Sequence, residues 1–308
     1  MTFNKHTAYF FLIGFLIVFF PWELLSPGRF EDLFKYKEYL SLGVRHEETL
    51  FNAPLIFLFK EIVFQQSLFF FYDFIQDIDY AILANVVIIT FIFLFATLRL
   101  GIDYRILILL LCPLMIDFFN AQLRNSLAVS LFLLGCSFKK NSFKYLFFFV
   151  SITFHLGALL VIMAYVYVNF LKRINNKTLH FFLLLFFSLA CAFGDKLFFI
   201  LLDDPRMDVY GSSVSGMSAI YFIWALALFA CFLLMKIKST EHDVKLDLAL
   251  IGSLLVVLAY FSGAYYGRYL AMFFAFILLA IGRPRMNKGV FWVMLFYSGY
   301  TFVMNFVF

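Results

Sequence analysis

"NAQLRNSLAVSLFLLGCSFKKNSFKYLFFFVSITFHLG", residues 120–157, decides how this chain is read. One apolar run opens on Arg124 and ends in the basic loop 139–144, "KKNSFK". A second apolar run follows and is interrupted by "FHLG", with His155 and Gly157. Placing a guanidinium in hydrocarbon costs about 2.5–3.5 kcal/mol on insertion scales. Arg124 cannot shed its charge, because a guanidinium stays protonated in proteins. An anion or water must therefore lie near it.

The rest of the chain is of the same kind. Of 308 residues, 64% are apolar and 14% charged, whereas soluble domains run at about 45–50% and 25%. The chain reads as an all-α polytopic integral membrane protein, a single unit over 1–308 with polar outer loops at about 26–79 and 203–218. The formal charge of +5 gives no footprint for nucleic acid, so basic residues are read by position, as a topology code. Cys112, Cys136, Cys191 and Cys231 lie inside apolar runs, without the spacing of a metal site or a disulfide framework. The first apolar run, 7–25, has no small-residue cleavage signal before Pro21–Trp22 and is expected to stay as a span.

A spanning helix needs about 20 mostly apolar residues. Such runs lie at 7–25, 80–98, 105–119, 124–138, 179–202, 219–235, 248–264, 265–281 and 290–307. Two stretches are ambiguous. Residues 50–72 carry Lys60, Glu61, Gln65 and Gln66 and look amphipathic, and 145–170 is the run broken by "FHLG". The loops 139–144 and 171–177 are both basic, and basic loops favour the cytoplasm. Both lie inside if 145–170 enters and returns as a re-entrant hairpin, which is allowed where protein or water satisfies its backbone. That arrangement has about nine spans, while letting both ambiguous stretches cross gives about eleven. In either, the N-terminus is cytoplasmic, with most of the 24 Lys and Arg and few of the 19 Asp and Glu on that side.

The same topology puts Arg124 and Arg268 (in "GAYYGRYLAMFFAF") near the outer ends of their helices. His155 reaches the outer half in the hairpin arrangement. The polar segments 26–49 and 203–218 lie on that side too. An arginine fork donates two parallel hydrogen bonds to phosphate oxygens. A lipid with an apolar tail and a diphosphate head would explain arginines at this depth. Tyrosine faces and carboxylates in the outer loops suit sugar rings and hydroxyls. Plainer readings stand beside these: arginines near helix ends snorkel, a lone membrane histidine bonds a neighbouring helix, and Asp117 could simply pair with Arg124.

The stretch from Asn120 to Tyr165 resembles a signature of the EpsG-like, Wzy-type polysaccharide polymerases. In that family an Arg-Gln opens a helix with a small residue one turn on, a basic loop follows, and a later helix carries Phe-His-x-Ser-Ala. Here Arg124–Asn125 stands where Arg-Gln is usual, Ala128 keeps the small residue, Lys139–Lys140 form the loop, and Phe154–His155 precede Gly157–Ala158. "FEDLFKYKEY" with Asp32 and Tyr36, "HEETLFNAPLIFLF" with Glu47 and Glu48, and Arg268–Tyr269 are weaker echoes.

The resemblance implies a bacterial inner-membrane polymerase with its active site facing the periplasm. It would join oligosaccharide repeat units carried on undecaprenyl diphosphate, without cofactor or metal and with a chain-length regulator as a further partner. Arg124 and Arg268 would hold the diphosphate, and His155, Glu47 and Asp32 would be the catalytic candidates. Tyr36, Glu48 and Asn125 would meet the glycan. A transporter or flippase of the same lipid-linked glycan is the main rival, but it should show a pseudo-repeat and cations through the full membrane depth. The other rivals are a lipid-linked ligase or membrane acyltransferase, the latter wanting a catalytic His on the side where its acyl donor arrives, and an assembly partner without chemistry, whose arginines would only snorkel.

Overall fold

The computed structural model describes residues 5–25, 30–43, 62–174, 176–201, 219–239, 242–262, 266–282 and 287–306. Every regular element among them is helical. The chain forms two compact units, Met1–Leu159 with Ser298–Phe308, and Leu160–Tyr297.

The first unit begins with α1 (Lys5–Phe19) and the single turn α2 (Trp22–Leu25). The expected run 7–25 is thus divided, because Pro21 lacks the N–H that would continue α1. Trp22 folds back and donates its indole N–H to the Leu16 carbonyl at 3.0 Å. Next come α3 (Glu31–Leu42), α4 (Ile62–Ile75) and α5 (Ile78–Arg99). The Tyr39 hydroxyl reaches the Gln65 side chain at 2.6 Å, tying α3 to α4. Asp77 caps α5 by accepting from the Tyr80 N–H at 3.0 Å.

The expected span 105–119 is corrected by the structure. It consists of a 3-10 helix, Tyr104–Leu111, and a separate short helix, α6 (Pro113–Asn120). The cause is Pro113. A proline opens a new helix readily but forces the residue before it out of helical geometry, and Cys112 is extended, with φ −66° and ψ 146°. Neither piece alone has the length of a span. The helices α7 (Leu123–Ser137) and α8 (Asn141–Phe154) then form an antiparallel hairpin around the basic turn. The run 145–170 is also broken: α8 ends at Phe154 and α9 (Ala158–Leu171) starts after "HLG".

The second unit holds most of α9, then α10 (Lys177–Leu201), α11 (Ala219–Lys238), α12 (Val244–Ser262), α13 (Tyr266–Ile281) and the first part of α14 (Lys288–Phe306). Helix α12 is buried along nearly its whole length and packs on α10, α11 and α13. Its closest neighbour is α13. A Cβ added at Gly252 would stand 2.4 Å from Phe273 Cβ, so only glycine lets these helices meet. Gly252→Ala is expected to destabilise the protein by about 1–3 kcal/mol through overpacking. A thermal melt in detergent that matched wild type would contradict this.

Four described helices are long and apolar enough to cross a bilayer: Ile78–Arg99, Lys177–Gly194, Ile220–Lys238 and Val244–Ser262. Large apolar side chains cover their outer faces, among them Phe91, Phe182, Phe186, Ile223 and Leu234. In water such a surface would be a large aggregating patch. In a bilayer it is the lipid contact. The protein is membrane-embedded.

Candidate active site

The hairpin α7–α8 is held in a definite register. The Ser151 hydroxyl donates to the Ala128 carbonyl across the two helices at 2.7 Å. Phe148 and Phe132 rings meet at 4.9 Å. Nearer the turn, a Cβ on Gly135 would be 3.0 Å from Phe147 Cβ and 3.1 Å from the Lys144 carbonyl oxygen. Arg124, near the start of α7, and His155, just past the end of α8, both lie at the end of the hairpin away from the basic turn. Residues far apart in the sequence pattern are therefore brought to one end of one hairpin.

Arg124 is the second residue of α7. A cation in the first turn opposes the helix dipole and costs about 0.3–1 kcal/mol, so helix stability alone does not call for an arginine there. The half-buried guanidinium shares this end with a chain of carboxamides. Gln122 donates from Nε2 to Asp117 Oδ2 at 2.7 Å. Asn125 donates from Nδ2 to Gln122 Oε1 at 3.4 Å. Asn125 is buried, and among the described residues its Oδ1 receives no donor. Leaving a buried acceptor unmet costs about 1–3 kcal/mol. His155 closes α8 with an extended backbone, φ −157° and ψ 121°, and its N–H reaches the Ser151 carbonyl at 3.2 Å. The imidazole is half-buried.

Arg268 has a similar local setting in the second unit. It is the third residue of α13 and is exposed. Aromatic rings gather at the start of this helix. Tyr266 lies 5.5 Å from Tyr221, Tyr221 lies 6.0 Å from Tyr297, and Tyr297 stacks on Trp224 at 3.7 Å. The Trp224 indole donates to the Val293 carbonyl at 3.3 Å. Trp224 and Tyr297 are buried, while Tyr221 and Tyr266 stay partly open.

A family model described as the EpsG family matches residues 6–308. The chain belongs to the EpsG family. No curated protein matches it, and no solved structure does. Membership supports a membrane glycan-polymerase role in general, of glycosyltransferase kind.

The remaining expected site residues of this EpsG-family chain fall in two groups. Glu47 and Glu48 lie outside the described residues. Asp32 and Tyr36 lie on α3. The Asp32 carboxylate takes the Lys35 ammonium at 3.1 Å, an exposed pair one turn apart. Tyr36 is buried and sets its ring 5.5 Å from Phe64 of α4. Its ring packs α3 onto α4, which leaves little of its face for a sugar. Lys37 bridges from α3 to Asp79 on α5 at 2.8 Å.

Reading the sequence alone did not single out Gln122, Tyr221 or Tyr266. Gln122 was within reach, since it directly precedes the Arg124 helix and could have been read as its capping position. Tyr221 and Tyr266 carry no such signal. They sit among dozens of aromatic residues, and only the packing of α11 against α13 and α14 distinguishes them.

Proposed function

We propose that this EpsG-family protein joins oligosaccharide repeat units carried on undecaprenyl diphosphate, at the periplasmic face of a bacterial inner membrane. The observation that carries the reading is the shared end of the α7–α8 hairpin, with Arg124 in the first turn of α7 and His155 at the close of α8. The growing chain on one lipid diphosphate is the donor, and a hydroxyl of the incoming unit is the acceptor. The glycosidic bond to the donor lipid breaks, a new one forms to the acceptor oxygen, and the acceptor proton leaves. Undecaprenyl diphosphate departs with added negative charge.

Fixed cations at the leaving group stabilise that transition state more than the ground state. Arg124 is assigned to the diphosphate, where the amide N–H groups that open α7 add further donors. Arg268, at the start of α13, is assigned separately to the same class of anion. His155 is the candidate acceptor for the hydroxyl proton, or a donor to the diphosphate. Asp32 and Glu47 are the carboxylate alternatives. Asn125, with its unmet Oδ1, suits a sugar hydroxyl, and Glu48 is the remaining glycan candidate, Tyr36 being taken up by its packing on Phe64. A chain-length regulator is the expected protein partner.

Deleting the gene in its host and resolving the surface glycan by gel tests this directly. The ladder is expected to collapse to a one-unit band and to return with the wild-type gene. Loss of even the single unit would instead place the protein earlier, with the flippases or transferases.

A further inference from the structure

The second unit contains a buried polar cluster that glycosyl transfer does not use. His180 lies in the first turn of α10, where Asn176 caps the helix by accepting from the Leu179 N–H at 3.0 Å. Asp247 lies in the first turn of α12, where Asp243 accepts from the Lys245 N–H at 2.8 Å. These caps set where both helices begin. His180 Nε2 stands 3.1 Å from Asp247 Oδ2, with exposures of 1% and 0%. His242, in the connection between α11 and α12, brings its ring centroid to 4.8 Å from that of His180. One donor atom from each of His180, His242 and Asp247 lies within 4.8 Å of the others.

We propose that His180, His242 and Asp247 bind one divalent ion of the zinc class. Two imidazoles and a carboxylate are a common zinc donor set, leaving a fourth tetrahedral position for water. Donors around such an ion, at bonds of about 2.0–2.2 Å, stand roughly 3.3–3.5 Å apart. The 3.1 Å between His180 Nε2 and Asp247 Oδ2 is already close to that spacing, and the His242 donor, within 4.8 Å of the others, would close by up to about 1.4 Å to reach it.

The unmet valences point the same way. Among the described residues, Nδ1 of His180 and Nδ1 of His242 are buried without a partner. A neutral imidazole donates from one nitrogen and offers a lone pair at the other: at His180 the ligand nitrogen is Nε2 and Nδ1 keeps the proton, while at His242 the open Nδ1 is available to the ion.

Lys236, in the last turn of α11, already occupies the other Asp247 oxygen, Oδ1, at 2.5 Å. It orients the carboxylate and leaves Oδ2 for the ion, while its charge works against tight binding. The site joins α10, α11 and α12 at the end rich in Lys172, Arg173, Lys177, Lys238 and Lys245. Arg268 lies beyond the opposite end of α12, about 28 Å along a 19-residue helix at 1.5 Å per residue. The ion therefore clamps helix ends and takes no part at the arginine.

Co2+ is the probe, added to the full-length protein in detergent. A saturable visible absorption at one ion per chain, bleached by Zn2+, is expected. His242→Ala should abolish it while leaving the metal-free melting curve near wild type, since His242 lies in a connection. His242→Cys should restore binding and add a thiolate charge-transfer band in the near ultraviolet. Absence of saturable absorption in folded wild type, or equal absorption in His242→Ala, would overturn the proposal. So would binding that appears only in Lys236→Met, because the lysine would then be the resident cation of the natural site.

Discussion

Arg124→Ala is expected to reduce the surface glycan ladder to a single repeat unit at unchanged protein level. The size of the effect follows from the chemistry assigned to the residue. Removing one preorganised electrostatic donor from a developing anion typically lowers the rate by about 10²–10³. Polymerisation repeats the step for every added unit, so a loss of that size compounds along the chain and long products vanish first. Arg124→Lys keeps the charge but not the planar two-pronged donor, and a lysine binds phosphate as a point charge. A shortened ladder is the expected result for that variant. If the ladder survives Arg124→Ala in full, the arginine merely snorkels, and its place in the first turn of α7 has no catalytic meaning.

His155→Ala carries the second largest expected effect. A general base contributes about 10²–10⁴, and histidine is the side chain most often used for that work. His155→Gln separates the two roles open to the ring. Glutamine donates a hydrogen bond but takes no proton at neutral pH. If His155 is the base, the Gln and Ala variants should be equally short of long chains in single-residue complementation. If it donates to the diphosphate, Gln should recover much of the ladder. A full ladder in both would remove His155 from the site and turn attention to Asp32 and Glu47. Both positions should fold, because neither is wholly buried and the interhelical bond from Ser151 to Ala128 is untouched.

Much of the hairpin was legible in the sequence. Arg124 opens a helix, the lysine pair turns it, and His155 closes the next one, because apolar runs, basic turns and breaks are local properties of a membrane segment. Pro113 was also plain in the sequence. It was outweighed in reading 105–119 as one span, since hydropathy counts apolar residues and ignores a missing N–H. Tyr36 shows a different limit. A tyrosine in a polar outer segment reads as a sugar platform, but only the folded chain shows Phe64 against its ring. The His180–Asp247 pair is the hardest case. The two residues are 67 positions apart, each is one of several polar residues leading into an apolar run, and nothing local marks them as partners.

The shortness of α7 has a consequence for how a substrate would arrive. The helix has 15 residues, or about 22 Å at 1.5 Å per residue, while the hydrocarbon slab is about 30 Å thick. With the lysine turn held at the headgroups of one leaflet, Arg124 stops short of the opposite boundary. A lipid would then have to sink its charged head into a recess to meet the arginine, while its sugars remain in water. Depth itself becomes a filter. An amphiphile with a long flexible tail and a compact double charge can make that descent, whereas a soluble sugar nucleotide has no tail to draw it down.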